Sequence, residues 1–217
     1  MPGSLGDELA EKARSVRRPR EAVEGINNAF AEIADSGAVP GLQVGDIAPG
    51  FTLPDAAGRE VELAARLADG PVVLSFYRGS WCPYCNLELR AYQRALPELR
   101  RLGARLIAIS PQAPDDALTV IQKYELEYDV LSDLSQRVIA AYKIRFEMPD
   151  AARPHLLDAT VAALAKQQPD GRWSLPVPAT FVLDTDGVVR ARHVSMNYRT
   201  RMEPADALRA VEEIVNG

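Results

Sequence analysis

Two cysteines, two histidines and two tryptophans are all that 217 residues provide, and aromatic residues make up only 6%. So few cysteines exclude a disulfide-stapled scaffold. The chain is long enough to do without one, since a domain of this size buries roughly 70% of the surface its unfolded form exposes. No run approaches the ~18 apolar residues of a membrane span. Positive charge is not in excess either: 25 Lys and Arg against 30 Asp and Glu leave a net charge of −5, which argues against a dedicated nucleic-acid or anionic-membrane binder. The opening Met1-Pro2-Gly3-Ser4-Leu5-Gly6-Asp7-Glu8 lacks the basic and apolar parts of a secretory signal. The expectation is a cytoplasmic protein, in which thiols stay reduced unless they are catalytic. With 47% hydrophobic and 25% charged residues, the remainder is average globular composition.

What is present is periodicity. Val23, Ile26, Phe30 and Ile33 recur at three, four and three residues, one face of a helix, and Ser36-Gly37 supplies a stop. Pro19 divides the charged stretch before them, so residues 1–40 read as an arm of two short helices. The arm has too few apolar residues to hold a core. It must pack on the body of the chain or on a second subunit, and homodimerisation through its stripe is one expectation. Arg14, Arg17, Arg18 and Arg20 crowd this arm among Glu8, Glu11, Glu21 and Glu24, a mixed-sign pattern that reads as a solvated face.

Residues 41–217 read as the main domain. Phe51 to Leu63 suggests a hairpin turning at Asp55 to Gly58. Pro71 to Tyr77 and Arg105 to Ser110 are apolar runs expected of strands buried on both faces. Cys85 to Leu102 carries a helical stripe, Leu89, Tyr92, Leu96, Leu99 and Leu102, which Pro97 should bend. Asp115 or Asp116 would cap a helix running to Glu125, followed by a strand at Tyr128 to Leu131 and a helix at Ser135 to Tyr142. Residues 145–175, with Pro149, Pro154 and Pro169-Asp170-Gly171 around a helical patch at Leu156 to Leu164, read as an insertion. Ala179 to Leu183 and Val188 to Val194 flank Asp184-Thr185-Asp186-Gly187, the strongest hairpin signal in the chain. Glu203 to Val215 closes as an amphipathic helix. The alternation of strand and helix predicts a three-layer α/β domain with parallel strands.

Both cysteines fall in Trp81-Cys82-Pro83-Tyr84-Cys85, at the junction of a buried strand and a helix. The thiolate is the reactive form of cysteine. The first turn of a helix offers unpaired N–H groups and partial positive charge, which lowers a thiol pKa from ~8.5 to between ~3.5 and ~7.5. A second thiol one turn on can attack a mixed disulfide or a sulfenic acid and close a small ring, and Pro83 suits the helix start. A zinc knuckle would need about four ligands. The remaining soft ligands, His155 and His193, are far apart in sequence and on different predicted elements, so neither a metal nor a cofactor is expected. Inert core cysteines are the other alternative.

Three segments, in order, resemble the CxxC-containing branch of the peroxiredoxin-like (AhpC/TSA, redoxin) family of the thioredoxin fold. They are Val44-Gly45-Asp46-Ile47-Ala48-Pro49-Gly50-Phe51-Thr52-Leu53-Pro54, Phe76-Tyr77-Arg78-Gly79-Ser80-Trp81-Cys82-Pro83-Tyr84-Cys85, and Val177-Pro178-Ala179-Thr180-Phe181-Val182-Leu183-Asp184. The resemblance covers roughly residues 42–217. It implies a thioredoxin-like three-layer α/β/α sandwich with a central mixed sheet, here with an N-terminal helical arm added. It also implies Cys82 and Cys85 as the redox pair and Pro178 as a cis-proline facing them. The chain departs from the family pattern around the pair. With Cys85 as the peroxide-reacting cysteine, the family's proline seven residues earlier and threonine three residues earlier are replaced by Arg78 and Cys82. The family's arginine before the following strand falls at Pro178, and the buried acid that thioredoxins place six residues before their first cysteine is Phe76. Arg78 is the candidate to stabilise a thiolate or an oxyanion in their stead, while Tyr77, Trp81 and Tyr84 read as packing.

Two reactions are implied. As a peroxidase acting on hydrogen peroxide or an organic hydroperoxide, Cys85 becomes a sulfenic acid, Cys82 condenses with it, and thioredoxin or another thiol reduces the disulfide. As a disulfide reductase, Cys82, expected to be the more exposed thiol, attacks a protein or small-molecule disulfide and Cys85 resolves it. The third reading is a non-enzymatic redox-sensing or scaffold module that binds a partner through its arm and insertion.

Overall fold

The computed structural model describes residues 3–168, 171 and 173–217, so Pro169 and Asp170 of the expected insertion turn lie outside the described residues. Two helices form the arm, α1 (Leu5–Ser15) and α2 (Arg20–Asp35), divided around Pro19. A capping box between Ser4 and Asp7 opens α1, satisfying two of its free N–H groups. The apolar stripe packs against the chain's own body. Leu5 and Leu9 join Tyr84 and Leu89, and Phe30 lies edge-on to Phe146 and Tyr198 with ring centroids 5.7 and 5.9 Å away. Intramolecular packing therefore uses the face that the sequence also offered to a second subunit.

The body runs β1 (Thr52–Pro54), β2 (Glu60–Glu62), α3 (Leu63–Ala68), β3 (Val72–Phe76), α4 (Pro83–Arg101), β4 (Arg105–Ser110), α5 (Pro114–Tyr124), β5 (Asp129–Ser132), α6 (Arg137–Ala141), β6 (Arg145–Glu147), a 3-10 turn (Asp150–His155), α7 (Asp158–Gln167), β7 (Ser174–Pro176), β8 (Ala179–Leu183), β9 (Val189–Val194) and α8 (Pro204–Asn216). The main sheet has the order β5-β4-β3-β8-β9. Within it β3, β4 and β5 are parallel, whereas β8 runs antiparallel to both its neighbours, β3 and β9. The sheet is therefore mixed, because the tight turn at Asp184–Gly187 can only reverse the chain. Val73, Leu106 and Val182 on one face meet α4 and α8. Val72, Leu74, Phe76, Ile107, Ile109 and Phe181 on the other meet the β1–β2 hairpin, α2 and the 145–175 segment. Strand alternation thus produces the layered α/β/α sandwich with its arm.

Local differences from the sequence reading have physical causes. Helix α4 begins at Pro83, two residues before the expected start, because proline's fixed φ is preorganised for the first helical position. Pro97 is accommodated within this helix, which runs on to Arg101. Helix α5 likewise starts on Pro114, with Ala113 as its N-cap and no side-chain cap. Asp115 and Asp116 instead occupy its first turn, where their charges meet the positive end of the helix. The 145–175 segment is closed at its base by β6 and β7, paired from Arg145–Pro176 to Glu147–Ser174. Its 3-10 turn packs on α2.

The Val177–Pro178 bond is trans, since the described residues include no cis peptide; the expected cis-proline is corrected. Val177 donates its N–H to the Ile144 carbonyl at 2.7 Å, extending the β6–β7 ladder. The chain then runs directly into β8, where Ala179 pairs with Phe76. An extended trans bond serves that path, and it is the form X-Pro bonds ordinarily prefer.

Candidate active site

Strand β3 continues through Tyr77, whose N–H donates to Ile109 at 3.0 Å, and the chain then turns at Arg78-Gly79-Ser80-Trp81. Gly79 has φ +145, and a Cβ there would stand 2.7 Å from the Trp81 indole nitrogen, so glycine alone fits this turn. Gln112, arriving from the end of β4, fastens it: its side-chain carbonyl accepts from the Ser80 N–H at 2.6 Å, and its amide donates to the Ser80 hydroxyl at 3.0 Å. Asn86 on α4 donates to the Ser80 carbonyl at 2.8 Å. The result fixes Cys82 as the N-cap of α4 and Cys85 in its first turn, close to the helix's unpaired N–H groups.

Neither thiol is exposed; both have zero accessible surface. This corrects the expectation of Cys82 as the more exposed partner, because Trp81, Tyr84 and a distant loop carrying Tyr198 crowd the motif. Two guanidinium groups reach the sulfurs. Arg78 Nη2 lies 3.2 Å from Cys82 Sγ, and Arg201 Nη2 lies 3.4 Å from Cys85 Sγ. Arg78 is 7% exposed and sits between the rings of Tyr198 and Trp81, 4.4 and 5.2 Å from their centroids.

The two arginines differ in what neutralises them. Arg201 Nε donates to Glu88 Oε2 at 2.6 Å, and both side chains are fully buried. Its Nη1 donates to the Tyr198 and Thr200 carbonyls at 2.6 and 2.7 Å. The Thr180 hydroxyl donates to the other Glu88 oxygen at 3.4 Å. Arg78 forms no ion pair with a carboxylate among the described residues, and its Nε has no partner. The site's net positive charge therefore stands beside Cys82.

That asymmetry divides the thiols. Burial pushes the Cys82 thiol up, but the hydrogen bond from Cys85 and the charges of Arg78 and Arg201 outweigh it and hold Cys82 well below the ordinary thiol range. Burial, the hydrogen bond it donates to Cys82 and the negative charge there push Cys85 well above that range. A negative charge on the pair is therefore favoured on Cys82 over Cys85. Burial also raises Glu88 against the pull of Arg201.

Arg78, Cys82 and Cys85 are thus brought together as the sequence suggested. Pro178 is buried at the entry to β8, two residues before Thr180, whose hydroxyl meets Glu88. Arg201, Glu88 and Tyr198 were missed. Glu88 was discoverable as a carboxylate on the buried face of an amphipathic helix, one turn from Cys85. Arg201 carries no local signal, since it reaches Glu88 across 113 residues of sequence. Among the described residues no group of three or more His, Cys, Asp or Glu is placed to hold a metal ion, and no helix is long and apolar enough to cross a membrane.

Known proteins resemble this chain in sequence and in fold. The AhpC/TSA family profile matches residues 44–192. The thiol-disulfide oxidoreductase ResA of Bacillus anthracis is 24% identical over 163 residues, 75% of this chain and 76% of that protein. Chloroplastic peroxiredoxin Q of Gentiana triflora is 32% identical over 146 residues, 67% of this chain and 56% of that protein. The crystal structure of peroxidoxin BcpB from Mycobacterium tuberculosis superposes with a TM-score of 0.63 at 24% identity, covering 80% of this chain and 98% of that one.

Proposed function

The chain belongs to the AhpC/TSA family and is a thiol-dependent oxidoreductase; from that premise we propose that it reduces hydroperoxides through a Cys82/Cys85 dithiol–disulfide cycle, with Cys82 as the first nucleophile. The observation carrying this reading is the un-neutralised Arg78 on Cys82, in a dithiol with no accessible surface. A hydroperoxide presents a single reacting oxygen that can reach a buried thiolate; a disulfide on the surface of a folded protein does not.

The Cys82 thiolate attacks the terminal oxygen of ROOH. A sulfur–oxygen bond forms, the O–O bond breaks, and the leaving alkoxide departs as the alcohol ROH with the proton Cys82 had released. Arg78 faces the oxygen on which charge develops. The resulting sulfenic acid is attacked by Cys85, the S–S bond forms, and water leaves. One hydroperoxide and two thiols thus become an alcohol, water and a disulfide. Thioredoxin or another thiol returns the pair to its dithiol form by exchange. Peroxiredoxin relatives support both a peroxide substrate and a thiol reductant.

Stopped-flow oxidation of reduced wild-type, Cys82→Ser and Cys85→Ser protein tests this. The expected result is a trappable sulfenic acid in Cys85→Ser and none in Cys82→Ser. The reverse pattern moves the nucleophile to Cys85. Peroxide inertness combined with Cys82-dependent insulin reduction replaces the peroxidase with a disulfide reductase.

A further inference from the structure

The arm and the 145–175 segment do more than decorate the sandwich. Together with the Tyr198 loop they enclose a cavity of about 540 Å³ beside the cysteine motif, within the usual size of a small-molecule site. Its walls are mainly apolar: Val23, Ile26 and Phe30 from α2, and Met148, Leu156 and Leu157 from the insertion. Its floor is Arg78, Trp81, Pro83 and Tyr84, so the residue whose guanidinium donates to Cys82 also lines the cavity. Trp81 is tied to α7, its indole N–H donating to the Gln167 side chain at 3.3 Å.

The cavity's charge is one-sided. Arg18, Arg78 and Arg199 line it, no Asp or Glu does, and none of the three forms an ion pair with a carboxylate among the described residues. Arg199 approaches the Tyr198 hydroxyl at 3.4 Å, and its buried Nε has no partner. Arg18 belongs to the basic cluster of the arm, yet behaves unlike its neighbours. Arg14 and Arg20 pair with Glu11 and Glu24, whereas Arg18 is half-buried against the cavity. Apolar walls with three arginines that no carboxylate pairs, two of them away from the Cys82 sulfur, call for a ligand that is greasy along its length and anionic at one end.

Resting on the peroxidase reading, we propose that Arg18 and Arg199 form a carboxylate-recognition site that selects an amphipathic organic hydroperoxide carrying that group. Its chain fills the cavity, its carboxylate is held by Arg18 and Arg199, and its hydroperoxide meets Arg78 beside Cys82. The electron balance is the one given above, with R now the acyl chain. Recognition at the carboxylate is charge-assisted and bidentate-capable, which arginine supplies and lysine does not.

The test compares linoleic acid hydroperoxide with its methyl ester, together with binding of decanoate and methyl decanoate to the Cys82→Ser/Cys85→Ser protein by tryptophan fluorescence. Wild type is expected to favour the acid hydroperoxide at least tenfold in kcat/KM, and Arg18→Gln/Arg199→Gln to bring that ratio towards one. Decanoate is expected to bind at least tenfold more tightly than its ester. Equal rates for acid and ester in wild type, or equal binding, overturn the carboxylate assignment and leave the peroxidase reading intact. Selective decanoate binding without turnover of any hydroperoxide overturns the peroxidase reading, and with it the hydroperoxide, while upholding the anion-capped apolar site.

Discussion

Arg78 Nη2 donates to the Cys82 sulfur at 3.2 Å from a guanidinium that no carboxylate neutralises among the described residues. An opposite charge this close lowers an acid's pKa by about 1–3 units. Arg78→Gln is therefore expected to raise the Cys82 pKa by at least about one unit, read from thiolate absorbance or alkylation rate against pH. Arg78→Lys should restore only part of the shift, because an ammonium lacks the planar fork that holds position between two rings.

Glu88 and Arg201 make the converse experiment. Glu88→Gln leaves Arg201 buried without its counter-charge, and breaking such a pair costs about 3–5 kcal/mol, measurable by chemical denaturation of the reduced protein. The freed guanidinium also faces Cys85 at 3.4 Å. Mass spectrometry after brief alkylation should then find label on Cys85, where wild type carries it on Cys82.

Stability should follow pH with a definite sign. The folded chain releases the Cys82 proton at a pH where the unfolded chain still holds it. The Cys82 contribution to stability therefore rises with pH through that window and is lost as pH falls through the folded pKa, whereas Cys85, held protonated in the folded chain, makes stability fall again as pH rises above about 8.5. Cys82→Ser should remove the rising slope from denaturation curves of the reduced protein. The rate of thiolate oxidation should fall over the same acid limb.

Gly79→Ala tests the turn that delivers the motif. With φ +145 and a prospective Cβ 2.7 Å from Trp81 and 2.9 Å from Gln112, the substitution should cost about 1–3 kcal/mol of backbone strain. The Gln112 clamp on Ser80 should loosen with it, seen as slower disulfide closure after oxidation.

Phe30→Ala tests the arm. Its ring is 6% exposed between Phe146 and Tyr198, and truncating such a side chain costs about 3–5 kcal/mol. The loss should be local: trypsin should cut the Arg17-Arg18-Pro19-Arg20 stretch many times faster than in wild type, while the sheet keeps its unfolding transition.

The sandwich and the CxxC site were legible because their signals are short-range. Apolar runs specify β3 and β4, Asp184–Gly187 specifies the β8–β9 hairpin, and eight residues hold Arg78, Cys82 and Cys85 together. What escaped depends on distant chain segments meeting. The Tyr198–Arg201 loop has no periodicity to mark it, yet it buries Cys82 and supplies the partner of Glu88. The cis form expected at Pro178 came from resemblance, and the pairing of Val177 with Ile144, 33 positions earlier, was not visible in either segment alone. The arm illustrates a third case. Its stripe was read as a face needing cover, and the three-dimensional packing shows the chain's own body covering Ile26 and Phe30.

Arg78 has one further consequence, for the energetics of the disulfide state. Forming the S–S bond erases the negative charge on Cys82 and leaves a guanidinium that is 7% exposed facing a neutral sulfur. Burying an unpaired charge is costly, so the oxidised protein is penalised relative to the dithiol. For a two-electron couple each ~1.4 kcal/mol of such a penalty raises the reduction potential by about 30 mV. The group that makes the thiol quick to react also makes its disulfide readily reduced, and the cycle is pulled back to its starting point after each turnover.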